Sequence, residues 1–149
     1  MSFALHLVII GVLLVSGSLV NIGAGSAEAG PVTQWEDLLA GMALKRVSSH
    51  SSGDGGGFTA TSVWHLCRGG SFRYSHSSTV SVEAPGSLGS STNQTSQTGR
   101  WSVVIKGSET LLVLKHSSGA QTLHPLAYDG EHTYLDGERV IRAPSHECP

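Results

Sequence analysis

Two histidine–cysteine pairs with the same spacing are the residues of this sequence whose types best suit chemistry. His65 precedes Cys67 by two residues, and His146 precedes Cys148 by two residues. Residues two apart on an extended strand point to the same side. Two such pairs brought together would present two imidazoles and two thiolates, which is a tetrahedral ligand set for zinc. A zinc site at these four residues is therefore one hypothesis, although the spacing differs from that of the usual zinc motifs.

The same two cysteines are the only ones in the chain. In an oxidising compartment an even number of cysteines indicates a disulfide bond. A bond between Cys67 and Cys148 would close a loop of roughly 80 residues and contribute about 4 kcal/mol in the chain-entropy description. We predict this disulfide, with free thiols and the zinc site as alternatives. His65 and His146 would then be ordinary polar neighbours of the bond.

Other patterns that accompany catalysis are absent from the sequence. It contains no G-x-S-x-G elbow, no H-E-x-x-H and no phosphate-binding G-x-x-x-x-G-K. The pairs Asp129-Gly130 and Asp136-Gly137 could offer carboxylates to calcium, but D-G is typical of hairpin turns and the EF-hand ligand string is missing. We predict no catalytic residue and no cofactor, and we expect a protein that is not an enzyme.

The charge of the chain excludes another class of function. The formal net charge is −2, and charged residues make up only 13% of the sequence. The phosphate backbone of nucleic acids requires a basic stripe or patch. Nucleic acid is therefore not an expected partner.

The first part of the chain has the composition of an export signal. Leu7 to Val15 is an uninterrupted apolar run, the first charged residue is Glu28, and Ala27-Glu28-Ala29 supplies an A-x-A cleavage site. We predict that residues 1–29 are a signal peptide. The alternative is an uncleaved membrane anchor over Phe3 to Ala27, since about 20 apolar residues span a bilayer. The expected location is secreted, periplasmic or at the cell envelope, with a membrane contact only if the segment is retained.

Residues 30–149 are expected to form one domain made mostly of strands. A capping box at Thr33 and Glu36 predicts a short helix that ends at Gly41. Residues 84–99 are poor in apolar side chains and predict a flexible surface loop. Short apolar runs separated by turn residues predict seven to eight strands, and up-and-down pairing into a small antiparallel barrel is the simplest topology. The expected strands cover 42–49, 58–67, a return strand from Phe72, 101–106, 110–116, 121–128, 133–135 and 139–141, and residues 79–83 are either the tail of the strand from Phe72 or a separate short strand.

Aromatic side chains supply the candidates for ligand contact. Trp64, Phe72, Tyr74 and Trp101 lie in the strongest strand patterns. Core packing is the simplest role for such residues. In the alternative they line the mouth of the barrel and hold a small apolar ligand, as small barrels can.

The second half of the sequence resembles a known group of proteins. Gly99-Arg100-Trp101 begins a strand with a G-x-W motif, Leu111 to Leu114 follows, and a glycine-containing turn leads to Leu126 to Tyr128. This order is similar to that of small exported bacterial barrels of the lipocalin-like and META-like kind. The resemblance covers residues 99–142 and implies a barrel more than a function.

These observations together predict an exported, noncatalytic β-barrel module. It would bind a small apolar ligand or a protein partner at the cell envelope. One alternative is a structural or inhibitory secreted domain. Another is a small metal-dependent enzyme or zinc-binding protein that uses the two histidine–cysteine pairs.

Overall fold

Each strand of the protein is hydrogen-bonded to the next strand along the chain, and the last strand pairs with the first. The computed structural model describes residues 30–53 and 55–148, so the predicted signal peptide lies outside the described residues. The elements are α1 Pro31–Leu39, β1 Met42–Ser51, β2 Gly57–Leu66, β3 Ser71–Ala84, β4 Ser87–Lys106, β5 Glu109–His116, β6 Gln121–Tyr128, β7 Thr133–Leu135 and β8 Glu138–Pro144. The predicted all-β antiparallel barrel with a short preceding helix is confirmed.

The barrel closes over a short stretch of β1. Met42 to Lys45 pair with Pro144 to Ile141 of β8, which joins the two ends of the sheet.

None of the helical structure within the described residues is long and apolar enough to span a bilayer.

The helix forms where it was expected, but its start differs from the prediction. It begins at Pro31 after Gly30, and no side chain caps its first turn. The capping box of Thr33 and Glu36 is therefore wrong, because Pro31 already supplies the fixed φ of a first helical residue and needs no N–H partner. Gly41 follows the helix with a φ of 81°, as the C-terminal signal predicted. Leu39 is fully buried, so the helix contributes to the core at one end of the barrel, here called the lower end.

Alternation along the strands fills the barrel with apolar side chains, except in β5, where Leu111 to Leu114 are all buried. Neighbouring strands contribute inward residues in register, for example Leu44 opposite Trp64 and Trp101 opposite Leu114. The core cluster comprises Leu39, Leu44, Trp64, Leu66, Phe72, Trp101, Val103, Leu112, Leu114, Leu126, Leu135 and Val140.

The segment predicted as a flexible loop, 84–99, is instead mostly strand. β3 and β4 form an unbroken ladder of 14 residue pairs, from Ser71 opposite Arg100 to Ala84 opposite Ser87. The loop prediction was wrong because it depended on the polar composition of the segment. A neighbouring strand supplies backbone hydrogen bonds whether or not the side chains of the segment are buried. Residues 79–83 are the end of β3, which is one of the two interpretations that the sequence left open.

Gly99 marks the point at which β4 enters the barrel wall. It lies between Phe72 of β3 and His116 of β5. A Cβ at this position would lie 2.7 Å from the Phe72 ring and 2.9 Å from the His116 Cα, and it would overlap the carbonyl oxygen of Lys115. The glycine of the G-x-W motif is thus required for close packing.

Candidate functional site

The four aromatic residues proposed as ligand contacts come together inside the barrel, where they are packed as core. Trp64, Phe72 and Trp101 are 3%, 2% and 8% exposed, and Tyr74 packs against the same cluster. Five open cavities of about 260 to 490 Å³ lie around the described structure, and Trp64, Tyr74 and Trp101 line none of these five. The interior around these residues is filled.

A cluster of charged side chains closes the core at the end opposite the helix, here called the upper end. Nη1 of Arg46 lies 3.0 Å from Oε2 of Glu138 and 3.7 Å from Oδ2 of Asp136. The Arg46 guanidinium also lies 5.3 Å from the centre of the Trp64 ring. Nδ1 of His124 lies 3.0 Å from Oδ2 of Asp136. Because the Arg46 charge is paired with the two carboxylates, the cluster acts as a polar plug over the core.

Sequence reasoning missed this polar plug, although a signal was present. Arg46 shares a face of β1 with Leu44, and His124 shares a face of β6 with Leu126, because residues two apart in a strand point the same way. An arginine and a histidine at inward positions indicate that one end of the interior is polar.

A serine–histidine pair lies beside the plug. Oγ of Ser62 is 2.9 Å from Nδ1 of His76 and 3.4 Å from the Tyr74 hydroxyl. A hydrolytic triad needs a third group that orients the histidine, usually a carboxylate. Among the described residues no carboxylate is bonded to the His76 ring, so this pair lacks that part of the arrangement.

Four strands continue beyond the barrel wall at the upper end. β1 pairs with β8 only as far as Lys45, and β4 pairs with β5 only from Gly99 onward. Pairing among β1, β2, β3 and β4 nevertheless continues to the hairpin ends. We call residues 46–51, 57–62, 76–84 and 87–98 the upper sheet. Its two outer strands, β1 and β4, each have one side without a strand partner in the described structure.

The hydrogen-bonding groups of β4 can be assigned to its two sides. The carbonyl oxygen of Thr98 accepts from the N–H of Ser117, at 2.9 Å, so the backbone groups of Thr98 point away from β3. The N–H of Trp101 donates to the carbonyl of Gly70, at 2.8 Å, so odd-numbered residues point towards β3. Since backbone groups alternate sides along a strand, the N–H and C=O of every even-numbered residue from Leu88 to Ser96 point to the open side: Leu88, Ser90, Thr92, Gln94 and Ser96.

This open edge lacks the features that usually prevent strand pairing. Exposed edges are normally protected by charged side chains, prolines, bulges or shortness. Residues 87–98 contain no charged residue and no proline, and the ladder to β3 runs without a bulge. The free edge of β1, residues 46–51, is half as long as that of β4. The β4 edge is thus the exposed strand best suited to receive another strand.

Comparison of the chain with family models, with curated proteins and with solved structures gives no match. The similarity to lipocalin-like barrels therefore remains a prediction that depends on the G-x-W motif and the strand order. A closed barrel supports many functions, so the function has to be argued from the sites.

The predicted disulfide is present between Cys67 and Cys148, whose Cα atoms are 5.2 Å apart. It joins the end of β2 to the segment that follows β8 and closes a sequence separation of 81 residues. In this covalent state neither sulfur can act as a thiolate ligand for zinc. Within the described residues, no three His, Cys, Asp or Glu side chains are grouped so that they could hold a metal ion.

The histidines of the two pairs have different surroundings. Nδ1 of His65 lies 2.8 Å from the Ser145 hydroxyl, and the side chain is partly buried. Burial lowers the pKa of His65 below its usual value, Glu147 opposes this shift, and Arg73 adds to it. His146 is exposed. His65 thus packs against Ser145 beside the disulfide, where burial favours its neutral form.

The two aspartate–glycine pairs lie in turns, as the sequence predicted. Gly130 and Gly137 have positive φ angles of 99° and 78°. Oδ1 of Asp129 accepts from the N–H groups of His132 and Glu131, which hold the pKa of its carboxyl well below the usual range, with a further contribution from the Tyr134 hydroxyl. This carboxylate stabilises the turn between β6 and β7.

Proposed function

We propose that this chain is an exported, noncatalytic binding module that recognises a protein partner by strand addition at the open edge of β4. The observation that carries the proposal is the row of five outward-facing residues from Leu88 to Ser96. Their backbone N–H and C=O groups have no partner among the described residues. In strand addition, such main-chain groups supply the affinity for an extended segment of the partner.

The composition of the edge supports this role. A long, uncharged edge without proline exposes a protein to unwanted pairing. Twelve residues of β4, 87–98, have this character, and they project from the barrel on a hairpin whose base is packed. Retaining such an edge is consistent with use of the edge as a binding surface.

The filled interior favours a protein partner over a small apolar ligand. A binding barrel for small molecules needs a cavity that buries most of the ligand surface. Here Trp64, Phe72 and Trp101 occupy the space that such a ligand would need. Recognition through the outside of the barrel requires no rearrangement of these side chains.

Two features support the proposed export. Disulfides persist in oxidising compartments such as the periplasm and the extracellular space, and Cys67 is bonded to Cys148. The sequence of residues 1–29 has the pattern of a signal peptide. We infer that the module acts outside the cytoplasm, secreted, in the periplasm or at the cell envelope.

Selection from a phage library of random twelve-residue peptides tests the proposed binding mode. Selected peptides are expected to bind the protein and Gln94→Ala, and to lose binding to Gln94→Pro, because proline removes the outward N–H without changing the length of the strand. Binding should also slow amide exchange at the even-numbered residues of β4. Peptides that bind Gln94→Pro as well as they bind the unaltered protein would overturn the proposal.

A further inference from the structure

We infer that the strand received by β4 is β4 of a second copy of this chain, so that two upper sheets join edge to edge around a two-fold axis. This inference rests on the proposed function, since it names the partner of the same edge. Three observations support it. Residues 87–98 are uncharged, the backbone groups of the even-numbered residues from Leu88 to Ser96 point to the open side, and the open side ends at Thr98.

The side chains beside the edge are all small or uncharged. The side chains of Ser90, Thr92, Gln94 and Ser96 lie on one face of β4. The side chains of Ser91, Asn93 and Thr95 lie on the opposite face. There is no charge in 87–98 that an oppositely charged partner could match. Strands rich in Thr, Ser, Asn and Gln pair well with strands of the same kind, through cross-strand hydroxyl pairs and amide ladders.

One such hydroxyl pair already exists within the upper sheet. Oγ1 of Thr79 on β3 lies 3.2 Å from Oγ1 of Thr92 on β4. A second copy of β4 would place another threonine or serine beside Thr92 on its open side. The segment that best continues this pattern is therefore β4 itself, and its length matches the edge by definition.

The backbone restricts the possible register. In an antiparallel pair, residues that face each other must both point towards the partner or both away from it, so a two-fold axis has to pass through a residue. The first and last open residues that point outward are Leu88 and Ser96, and their midpoint is Thr92. With the axis at Thr92, all five outward residues of each copy face outward residues of the other.

The pairing ends where the structure blocks it. Thr98, the next outward residue after Ser96, already receives a backbone hydrogen bond from Ser117. The residue opposite it in the second copy would be Gly86, which lies in the turn between β3 and β4. The register centred on Thr92 thus uses the open part of the edge and stops at both of its natural limits.

The arrangement also closes on itself. A two-fold contact uses the same surface of both copies, so the open edge of β4 is paired in both copies and is no longer available to a third chain. The edges that remain belong to β1, whose open part, residues 46–51, is half as long as that of β4. We therefore expect a discrete dimer with a continuous eight-stranded sheet rather than a growing fibre.

Sedimentation and light scattering over a range of concentrations test this inference with four variants at one position. Thr92→Ala keeps the N–H and loses only the hydroxyl, so it should dimerise more tightly than Thr92→Pro. Thr92→Pro removes the N–H at the axis from both copies, and dimerisation should weaken at least about tenfold. Thr92→Lys and Thr92→Glu should each weaken the homodimer, because like charges face each other at the axis, and an equimolar mixture of the two should form the heterodimer. Circular dichroism of each variant establishes that the barrel is folded.

The outcomes separate this inference from the proposed function. Dimerisation that weakens at least about tenfold in Thr92→Pro supports the inference, as does dimerisation that is weak in Thr92→Lys and Thr92→Glu alone and is restored when the two are mixed. A protein that stays monomeric at high concentration overturns it, as does a dimer that Thr92→Pro leaves unchanged. If the monomeric protein still binds displayed peptides in a manner that Gln94→Pro abolishes, the second copy is wrong as the partner while strand addition stands.

Discussion

The indole N–H of Trp101 donates a buried hydrogen bond of 2.9 Å to the carbonyl oxygen of Cys67. Trp101 lies where β4 enters the barrel, and Cys67 is covalently joined to Cys148 after the last strand. The base of the β4 hairpin is therefore fixed to the disulfide-linked end of the barrel. This connection explains how a hairpin with a polar, exposed upper part can keep a defined orientation.

Replacing Trp101 by phenylalanine tests this connection. The carbonyl oxygen of Cys67 would lose its partner in a buried environment, and such a loss costs about 1 to 3 kcal/mol. Trp64→Phe is the control for loss of a core indole, because the Trp64 indole N–H makes no hydrogen bond within the described residues and is not a buried unpaired group. In urea unfolding we expect Trp101→Phe to be less stable than Trp64→Phe by about 1 kcal/mol or more. Equal losses in the two variants would contradict the account.

Reduction of the disulfide should lower the free energy of unfolding. The bond closes a loop with a sequence separation of 81 residues, for which the chain-entropy description gives about 4 kcal/mol. Urea unfolding with and without reductant measures the difference, and Cys148→Ser should show the same loss and no response to reductant. If the unreduced protein can be alkylated at both cysteines, the bond is not formed and the prediction fails.

Stability should decrease as the pH falls through the titration range of histidine. The pKa of His65 is lowered in the folded protein, chiefly by burial, below the reference value of 6.5. A lowered pKa means that the unfolded chain binds the proton more strongly, so the stabilisation is complete above about pH 6.5 and is lost as the pH falls through the folded pKa. Thermal unfolding from about pH 8 to about pH 5 should show a smaller decrease in Tm for His65→Gln than for the exposed control His146→Gln. Identical pH profiles would exclude this role of His65.

Proline substitutions at adjacent positions of β4 should have unequal effects on stability. The N–H of Asn93 points to β3, whereas the N–H of Gln94 points to the open side. Asn93→Pro removes a ladder hydrogen bond, so it should destabilise the protein by about 1 kcal/mol or more relative to Gln94→Pro in dilute solution. Urea unfolding of the two variants makes the comparison. The reverse order of stability would show that the backbone groups are assigned to the wrong sides.

The barrel could be predicted because its signals are local. Alternation within the strands and glycine-containing turns predicted β6 and β7 with the observed bounds, and the D-G pairs were found in turns. The disulfide followed from the count of two cysteines. Each of these features is encoded by residues that are near in sequence or by a pairing that admits one solution.

The errors occurred where the structure depends on residues distant in sequence. Residues 84–99 have little to bury, and only their ladder with β3 makes them a strand. The polar plug joins Arg46 of β1 to Asp136 and Glu138 near β8, a contact that exists only because the barrel closes. The open edge of β4 was likewise invisible, since it results from the difference in length between β4 and β5.

Residue-resolved amide hydrogen exchange in β4 is the most direct test of the open edge. In dilute solution the odd-numbered amides from residue 89 to residue 97, which are bonded to β3, should exchange slowly. The even-numbered amides from residue 88 to residue 96 should exchange faster and should become protected as the protein concentration rises. Uniformly fast exchange across 88–97 at every concentration would contradict the account, because it would mean that this segment forms neither a ladder with β3 nor an edge that a second strand can join.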